Sequence, residues 1–315
     1  MARSTTGASP GKGSKAGSKS ARANRARAKH AGAKARDAAK RGALGKRRAR
    51  TPRARTADKY ALYQQAVQDP PEDARFLQRV FTKQVGRPAR LLREDFCAAA
   101  ALSCAWVRAH ADNRAIGVDI DPEPLDWGRA HNVASLRPGQ AERLQLVQGD
   151  VLDDDALEPV DIVCAFNFSY FCFHEREVLG RYFAKSLARL RPGGLLFLDL
   201  YGGADAQRTM TETREEEGFD YVWDQDVFDP IHHRVVNYIH FEFSDRSRLE
   251  RAFRYDWRLW TIPELRDLLR EVGFGNVTVF WEGTDAKTGE GNGIYRPAKR
   301  AADDPAFVTY LVAGK

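Results

Sequence analysis

The stretch Leu91-Leu92-Arg93-Glu94-Asp95-Phe96-Cys97-Ala98-Ala99-Ala100-Ala101 decides how the rest of the chain is read. An apolar run over 89–92 gives way to carboxylates and then to a small-residue segment over 97–110 that predicts a helix. The same sequence of events recurs downstream. Residues 115–118 predict a buried strand ending in Asp119. Asp121-Pro122 then predicts a helix start, with an Asp N-cap and Pro at the first helical position, running to about Asn132. Residues 144–147 predict a third strand, followed by Gln148-Gly149-Asp150, and residues 160–166 a fourth. A helix over 175–190, closed by Arg191-Pro192-Gly193-Gly194, leads to a fifth strand at 195–198. Short, continuous apolar strands alternating with helices are the pattern of a parallel sheet covered by helices on both faces, an α/β fold.

Outside this core the pattern changes. Upstream, Tyr60, Leu62, Tyr63 and Val67, then Phe76, Val80 and Phe81, are spaced for helices over 59–85, interrupted at Pro70-Pro71. Downstream of Gly202-Gly203, residues 233–243 and 249–259 alternate with period two. They predict a long antiparallel hairpin within an insertion over 202–260. A helix at 262–272, a strand at 277–281, a Gly-rich loop over 282–296 and a last strand at 306–312 complete the pattern.

Charge divides the chain at residue 58. Residues 1–58 hold 18 Lys and Arg against Asp37 and Asp58, a net +16, whereas 59–315 carry −9, so the overall +7 describes neither part. In 1–58 the large apolar side chains are Met1 and Leu44, too few to offset chain entropy, and disorder is expected there. Such an arm is expected to contact nucleic acid or ribosomal RNA non-specifically, since it has no aromatic ring to stack on bases; a merely solubilising tail is the alternative. No apolar run approaches a membrane span or a secretory signal, so an intracellular, cytoplasmic setting is expected. Cys97, Cys104, Cys164 and Cys172 lie in apolar contexts without metal-ligand spacing, which predicts buried reduced thiols. His232, His233 and His240 likewise lack the spacing and added acids of a metal site, and none is expected.

Open parallel sheets bind ligands beyond the carboxyl ends of their strands. Those ends carry Glu94, Asp119, Asp150, Asn167 and Asp199. Asp119, 25 residues after Glu94, is placed to accept from a ribose diol. Asp150 is placed to accept from an adenine amino group, with Val151 covering the ring. The first strand–helix turn has two carboxylates and no glycine, so a pyrophosphate would meet repulsion and crowding there. An adenosine ligand with a cationic tail fits better.

In order and spacing these segments resemble the class I S-adenosylmethionine-dependent methyltransferases, a Rossmann-like family. Residues 91–101 resemble its first motif, in the subgroup written Leu-Arg-Glu-Asp-Phe-Cys-Gly-Thr. Gly117-Val118-Asp119-Ile120-Asp121-Pro122, Gln148-Gly149-Asp150-Val151, residues 161–168 and Leu190-Arg191-Pro192-Gly193-Gly194 resemble the later ones, and the likeness spans about 60–315. It implies S-adenosylmethionine as cofactor, with Arg93 or a nearby backbone group on its carboxylate and Glu94 on its ammonium. It places Asp119 on the ribose, Ile120 and Val151 beside adenine, and Asp150 on the amino group. Phe96, Cys97, Ala98, Asn167 and Phe168 complete the expected cofactor contacts. Phe96, Ala98 and Ala100 stand where the family usually has glycine; Ala98 is accommodated there if its φ is negative.

The implied activity is methyl transfer to an acceptor, a small molecule or a protein. Candidates to orient it or take its proton are Tyr63, Tyr170, Tyr238 and His240, the last two sharing one face of the predicted hairpin. A solvated sheet face is the other reading of that pair. Two alternatives stand beside this one: an RNA-modifying methyltransferase supplied by the arm, and a non-catalytic polyanion-binding protein on a degenerate methyltransferase fold. The net −9 of the body argues against a nucleic-acid cleft.

Overall fold

The computed structural model describes residues 51–153, 158–285, 287–289 and 291–315. Two helices lead in, α1 (Lys59–Val67) and α2 (Pro70–Val85), each with an Asp N-cap, Asp58 and Asp69. The core then alternates: β1 (Leu91–Asp95), α3 (Ala101–Ala109), β2 (Arg114–Asp119), α4 (Pro122–His131), β3 (Leu144–Gln148), β4 (Val160–Ala165), α5 (Arg176–Arg189) and β5 (Leu190–Gly202). After four intervening strands come α6 (Ile262–Val272), β10 (Asn276–Thr284), β11 (Gly291–Pro297) and β12 (Phe307–Gly314). The main sheet has the order β11-β10-β12-β5-β4-β1-β2-β3. Strands β1 to β5 are parallel, and β12 enters antiparallel between β5 and β10. The connections leave β1 for β2 on one side and reach β4 on the other, so a crevice opens at the carboxyl ends of β1 and β4.

Strand alternation sorts the core into two layers. Leu92, Ile162, Cys164 and Phe197 face α2 and α3 and pack with Leu77, Phe81, Leu102 and Trp106. Leu91, Val163, Leu196 and Leu198 face α5 and α6 and pack with Leu179, Phe183, Leu265 and Leu269. Each such fully buried side chain contributes about 1.5–3 kcal/mol of transfer free energy.

Three differences from the sequence-based expectations have physical reasons. The inserted hairpin is β8 (Arg234–Glu242) and β9 (Arg248–Arg258), but it belongs to a sheet ordered β6-β7-β8-β9, with β6 (Met210–Glu216) and β7 (Phe219–Asp229). Strand β6, Met-Thr-Glu-Thr-Arg-Glu-Glu, has no apolar alternation to announce it. The expected Gly-rich loop contains β11, which pairs with β10 through Trp281↔Arg296 and Glu282↔Tyr295. The helix expected from Cys97 begins at Ala101, because Phe96, Ala98 and Ala100 adopt left-handed backbone.

Of the basic arm, residues 1–50 lie outside the described residues. Residues 51–58, grouped with it by composition, belong to the folded body. Arg53–Arg55 forms a single 3-10 turn. The Arg53 amide donates to Asp245 Oδ2 (2.8 Å) and the Ala54 amide to Ser247 Oγ (3.1 Å), both on the β8–β9 turn. The Arg53 guanidinium also sits over the Phe243 ring. Helix α1 packs beneath the same sheet, with Leu62, Tyr63 and Val67 against Ile239, Phe241 and Phe253.

Candidate functional site

A cleft of about 590 Å³ lies beyond the carboxyl ends of β1, β2 and β4, walled by α1 and β9. Its floor is the turn after β1. Phe96, Ala98 and Ala100 have φ of 58°, 45° and 55°. The condition of a negative φ at Ala98 is therefore not met; the turn keeps a glycine-type backbone with alanine in it. Several contacts over-determine that shape. The Cys97 amide donates to the Val118 carbonyl (2.9 Å) and the Ala100 amide to the Cys97 carbonyl (2.7 Å). The Ala98 amide donates to Asp119 Oδ2 (2.7 Å). The Asn132 side chain donates to the Ala99 carbonyl (2.8 Å). Helix α4 approaches so closely at Gly128 that a Cβ there would stand 2.6 Å from the Ala99 oxygen.

The β1 residues divide by face. Glu94 enters the cleft while its Oε2 accepts from the Ser103 amide (2.8 Å) and hydroxyl (2.6 Å) at the start of α3. Burial pushes its pKa up to about 7, against the Ser103 bonds that pull it down. Arg93 points the other way. It is 1 % exposed, pairs with Asp95 (2.6 Å) and is not part of the cleft wall. Tyr182 of α5 donates to the other Asp95 oxygen (3.1 Å). This places Arg93 beneath the turn, where its charge offsets Asp95, and away from the ligand contact expected of it.

At the end of β2, Asp119 faces the cleft and accepts from the Asp121 amide (2.9 Å) as well as from Ala98. Burial raises its pKa. The next residue, Ile120, is 65 % exposed on the cleft wall, an apolar side chain set beside a polar one. Asp121 caps α4 through the Glu123 amide (2.9 Å). The mouth beside it is latched to α1: Lys59 pairs with Glu123 (2.8 Å), and the Trp127 indole donates to Asp58 (2.7 Å).

At the end of β4, Asn167 and Phe168 are also left-handed, and both amides donate to Asp199 (2.7 and 2.9 Å). Burial lifts the Asp199 pKa to about 7. Asn167 reaches the cleft wall; Phe168 packs on Tyr201 outside it. Tyr170 is fully buried and donates to the Asp199 carbonyl (2.7 Å), so it is a structural residue and does not reach an acceptor. Asp150 accepts from the Leu152 amide (2.8 Å), and Val151 is buried with its carbonyl accepting from Arg189 (2.7 Å); neither lines the cleft. Asp150 and Asp119 both lie within electrostatic reach of Cys172, which does line it. Cys172 is exposed, unlike the buried Cys97, Cys104 and Cys164, so the expectation of four buried thiols fails at this position.

The opposite wall is aromatic. Tyr63 packs on Phe253 (5.0 Å between centroids), and Tyr255 stacks on Trp257 (4.3 Å). Tyr63 and Tyr255 share a side-chain hydrogen bond, and burial pushes the Tyr63 hydroxyl up to about 12. Phe253, Tyr255 and Trp257 come from alternate positions of β9, a pattern visible in the sequence as a sheet face but not as a cleft wall. Tyr238 and His240 lie elsewhere. They stand on the opposite face of β8 from Ile239 and Phe241, and neither lines the cleft. His240 is 3 % exposed; its Nδ1 accepts from the Arg251 amide (3.1 Å) and its Nε2 meets Asp224 (3.3 Å). The guanidinium of Arg251 covers the Tyr238 ring.

No protein-family model and no curated protein sequence matches the chain. Solved structures do match in fold. An S-adenosylmethionine-dependent methyltransferase from Clostridium acetobutylicum aligns with TM-score 0.58 at 13 % identity, over 81 % of this chain and 96 % of that one. An amino pentose methyltransferase of calicheamicin biosynthesis from Micromonospora echinaspora, solved with S-adenosylmethionine bound, aligns with TM-score 0.57 at 14 % identity, over 81 % and 95 %. A sugar N-methyltransferase from Streptoalloteichus aligns with TM-score 0.56 at 18 % identity, over 90 % and 99 %. At these identities the likeness establishes a class I methyltransferase fold.

Proposed function

We propose that the cleft binds S-adenosylmethionine and that the protein is a methyltransferase whose acceptor is held between α1 and β9. One observation carries the reading: Glu94, Asp119 and the exposed Ile120 converge on a single cleft whose floor turn offers carboxylates where a phosphate would need cations or open amides. That set suits an adenosine with a positively charged tail. The amino pentose enzyme of the same fold was solved with this cofactor.

When bound, the cofactor supplies an electrophilic methyl group on a sulfonium. The chain's own residues bind, orient and exclude water. Glu94 takes the ammonium and Asp119 the ribose hydroxyls. Ile120 covers one face of the adenine; Asp150, outside the cleft wall, is assigned no contact with it. Phe96, Cys97, Ala98 and Asn167 shape the middle of the site. Helix α1 acts as the lid and the four-stranded sheet as the acceptor cap; α2, expected to share the lid, packs on the main sheet and lines no part of the cleft. Tyr63 keeps its proton at neutral pH, so it orients the acceptor by hydrogen bonding and is not its base. The rings of Tyr60, Phe253, Tyr255 and Trp257 suit an acceptor with an apolar or ring face, in line with the sugar substrates of two neighbours.

Calorimetry of the full chain with S-adenosylmethionine and S-adenosylhomocysteine tests the reading. Saturable binding of both, lost in Asp119→Ala, is expected. No heat at millimolar ligand with folded protein would replace it with a non-catalytic role for the fold.

A further inference from the structure

The −9 body carries a cationic groove that its net charge conceals. Arg75, Arg79 and Lys83 succeed one another every fourth residue along α2, about 6 Å apart on the helix axis. All three are exposed. They face a groove of about 680 Å³ between α2 and α3 that also takes in Arg90 and His110. A second hollow of about 320 Å³ shares Ala74, Arg75 and Ala109 with the first, adds Arg108, and ends at Gln64, which also lines the cofactor cleft. No Asp or Glu lines either hollow among the described residues. The carboxylates at the rim are Glu72, paired with Arg75 (2.7 Å) and Arg79 (3.9 Å), and Asp112, near Arg90 (3.9 Å) and His110 (3.7 Å). Five cations therefore face two carboxylates. The groove begins at the amino end of β1 and leads into the cleft.

We infer that this groove is a docking surface for a single-stranded phosphodiester chain. A file of cations at helical spacing is comparable with the phosphate repeat of an extended strand. A groove between two packed helices, with one file of cations along its wall, suits a single strand. Trp106, its one Phe, Tyr or Trp residue, is fully buried and offers no ring for stacking, which leaves the His110 imidazole as its exposed ring. Recognition therefore runs through phosphate, with little sequence preference and steep salt dependence. The +16 carried by residues 1–58 has the same sign and adds attraction at longer range. The inference concerns where the protein docks and does not depend on the methyl-transfer reading.

The test uses the full chain and fluorescein-labelled oligouridylate, with oligodeoxythymidylate of equal length and heparin as comparisons. The triple variant Arg75→Glu, Arg79→Glu, Lys83→Glu should weaken binding of both strands by about 10-fold or more and reduce the salt slope by about two. Reversing Arg181, Arg270 and Arg300, exposed cations on other faces, should leave both unchanged. Independently of any variant, thiouridine cross-linking to the wild-type chain should recover peptides of α2 and α3. Similar affinity for the two strands supports contact through phosphate. Cross-links confined to residues 1–50, a triple variant that binds like wild type, or strong preference for heparin over both strands each overturns the inference.

Discussion

The Ala98 amide donates to Asp119 Oδ2 across 2.7 Å, so one carboxylate both closes the turn after β1 and faces the cleft. Asp119 thus holds the left-handed 96–100 backbone and, in the proposed cofactor site, also meets the ribose. Asp119→Ala is expected to weaken S-adenosylmethionine binding by about 1–3 kcal/mol, the scale of a lost buried polar contact. Asp119→Asn, which can still accept from Ala98, should lose less. Calorimetry separates these outcomes; equal affinity in all three proteins would place the cofactor elsewhere.

Ala98 and Ala100 occupy positions where the backbone asks for glycine. A left-handed φ costs an alanine about 1 kcal/mol relative to glycine. Ala98→Gly should therefore stabilise the folded protein by up to about 1 kcal/mol, less the entropy that glycine adds to the unfolded chain. It should also hold or tighten cofactor binding, since the methyl group leaves the cleft floor. Thermal unfolding with and without ligand checks both effects. A clear loss of affinity would show that the methyl packs against the ligand instead of crowding it.

Glu94 gives the site a pH dependence. Burial raises its pKa from 4.5 to about 7, so near neutrality a substantial fraction is protonated. In the proposed site the ionised form meets the ammonium, so cofactor affinity should rise as pH passes from about 6 to 8. The stability of the ligand-free protein should move the other way. Between 4.5 and about 7 the folded state holds a proton that the unfolded chain has lost. The Glu94 contribution to stability therefore falls as pH rises through that window. Glu94→Gln should flatten both profiles while weakening binding. A wild-type affinity flat across neutrality would dissociate Glu94 from the ammonium.

The parallel core was legible because each strand is a short apolar run ending in a polar residue, as at Asp119, and each following helix has its own start signal, as at Asp121-Pro122. Of the strand-end residues singled out in the sequence, Glu94, Asp119 and Asn167 line the cleft, whereas Asp150 and Asp199 do not. The site was illegible where geometry depends on which way a face turns. Period-two alternation shows that Tyr238 and His240 share a face but not that this face looks away from the cleft, while Phe253, Tyr255 and Trp257 look into it. Strand β6 was hidden by its charges and β11 by its glycines. The burial of Arg93 was hidden because a strand-end arginine reads as a ligand contact until its pairing with Asp95 is seen.

The two tyrosine groups predict opposite outcomes, and this separates the cleft wall from the outer face of the cap. Tyr63 lies on the wall and shares a hydrogen bond with Tyr255. Tyr63→Phe and Tyr255→Phe should leave S-adenosylmethionine affinity within about twofold, because no cofactor contact is removed, and should lower transfer by about 10- to 100-fold through loss of acceptor orientation. Tyr238→Phe should change neither. His240→Ala should also leave cofactor binding and turnover intact while destabilising the fold by about 1–2 kcal/mol, since the Arg251 amide loses the acceptor it has at 3.1 Å. Turnover is measured as S-adenosylhomocysteine release once an acceptor is in hand, and stability by thermal unfolding. If His240→Ala abolished turnover with its fold intact, the acceptor would have to reach the outer face of β8, and the aromatic wall of β9 would not be the acceptor site.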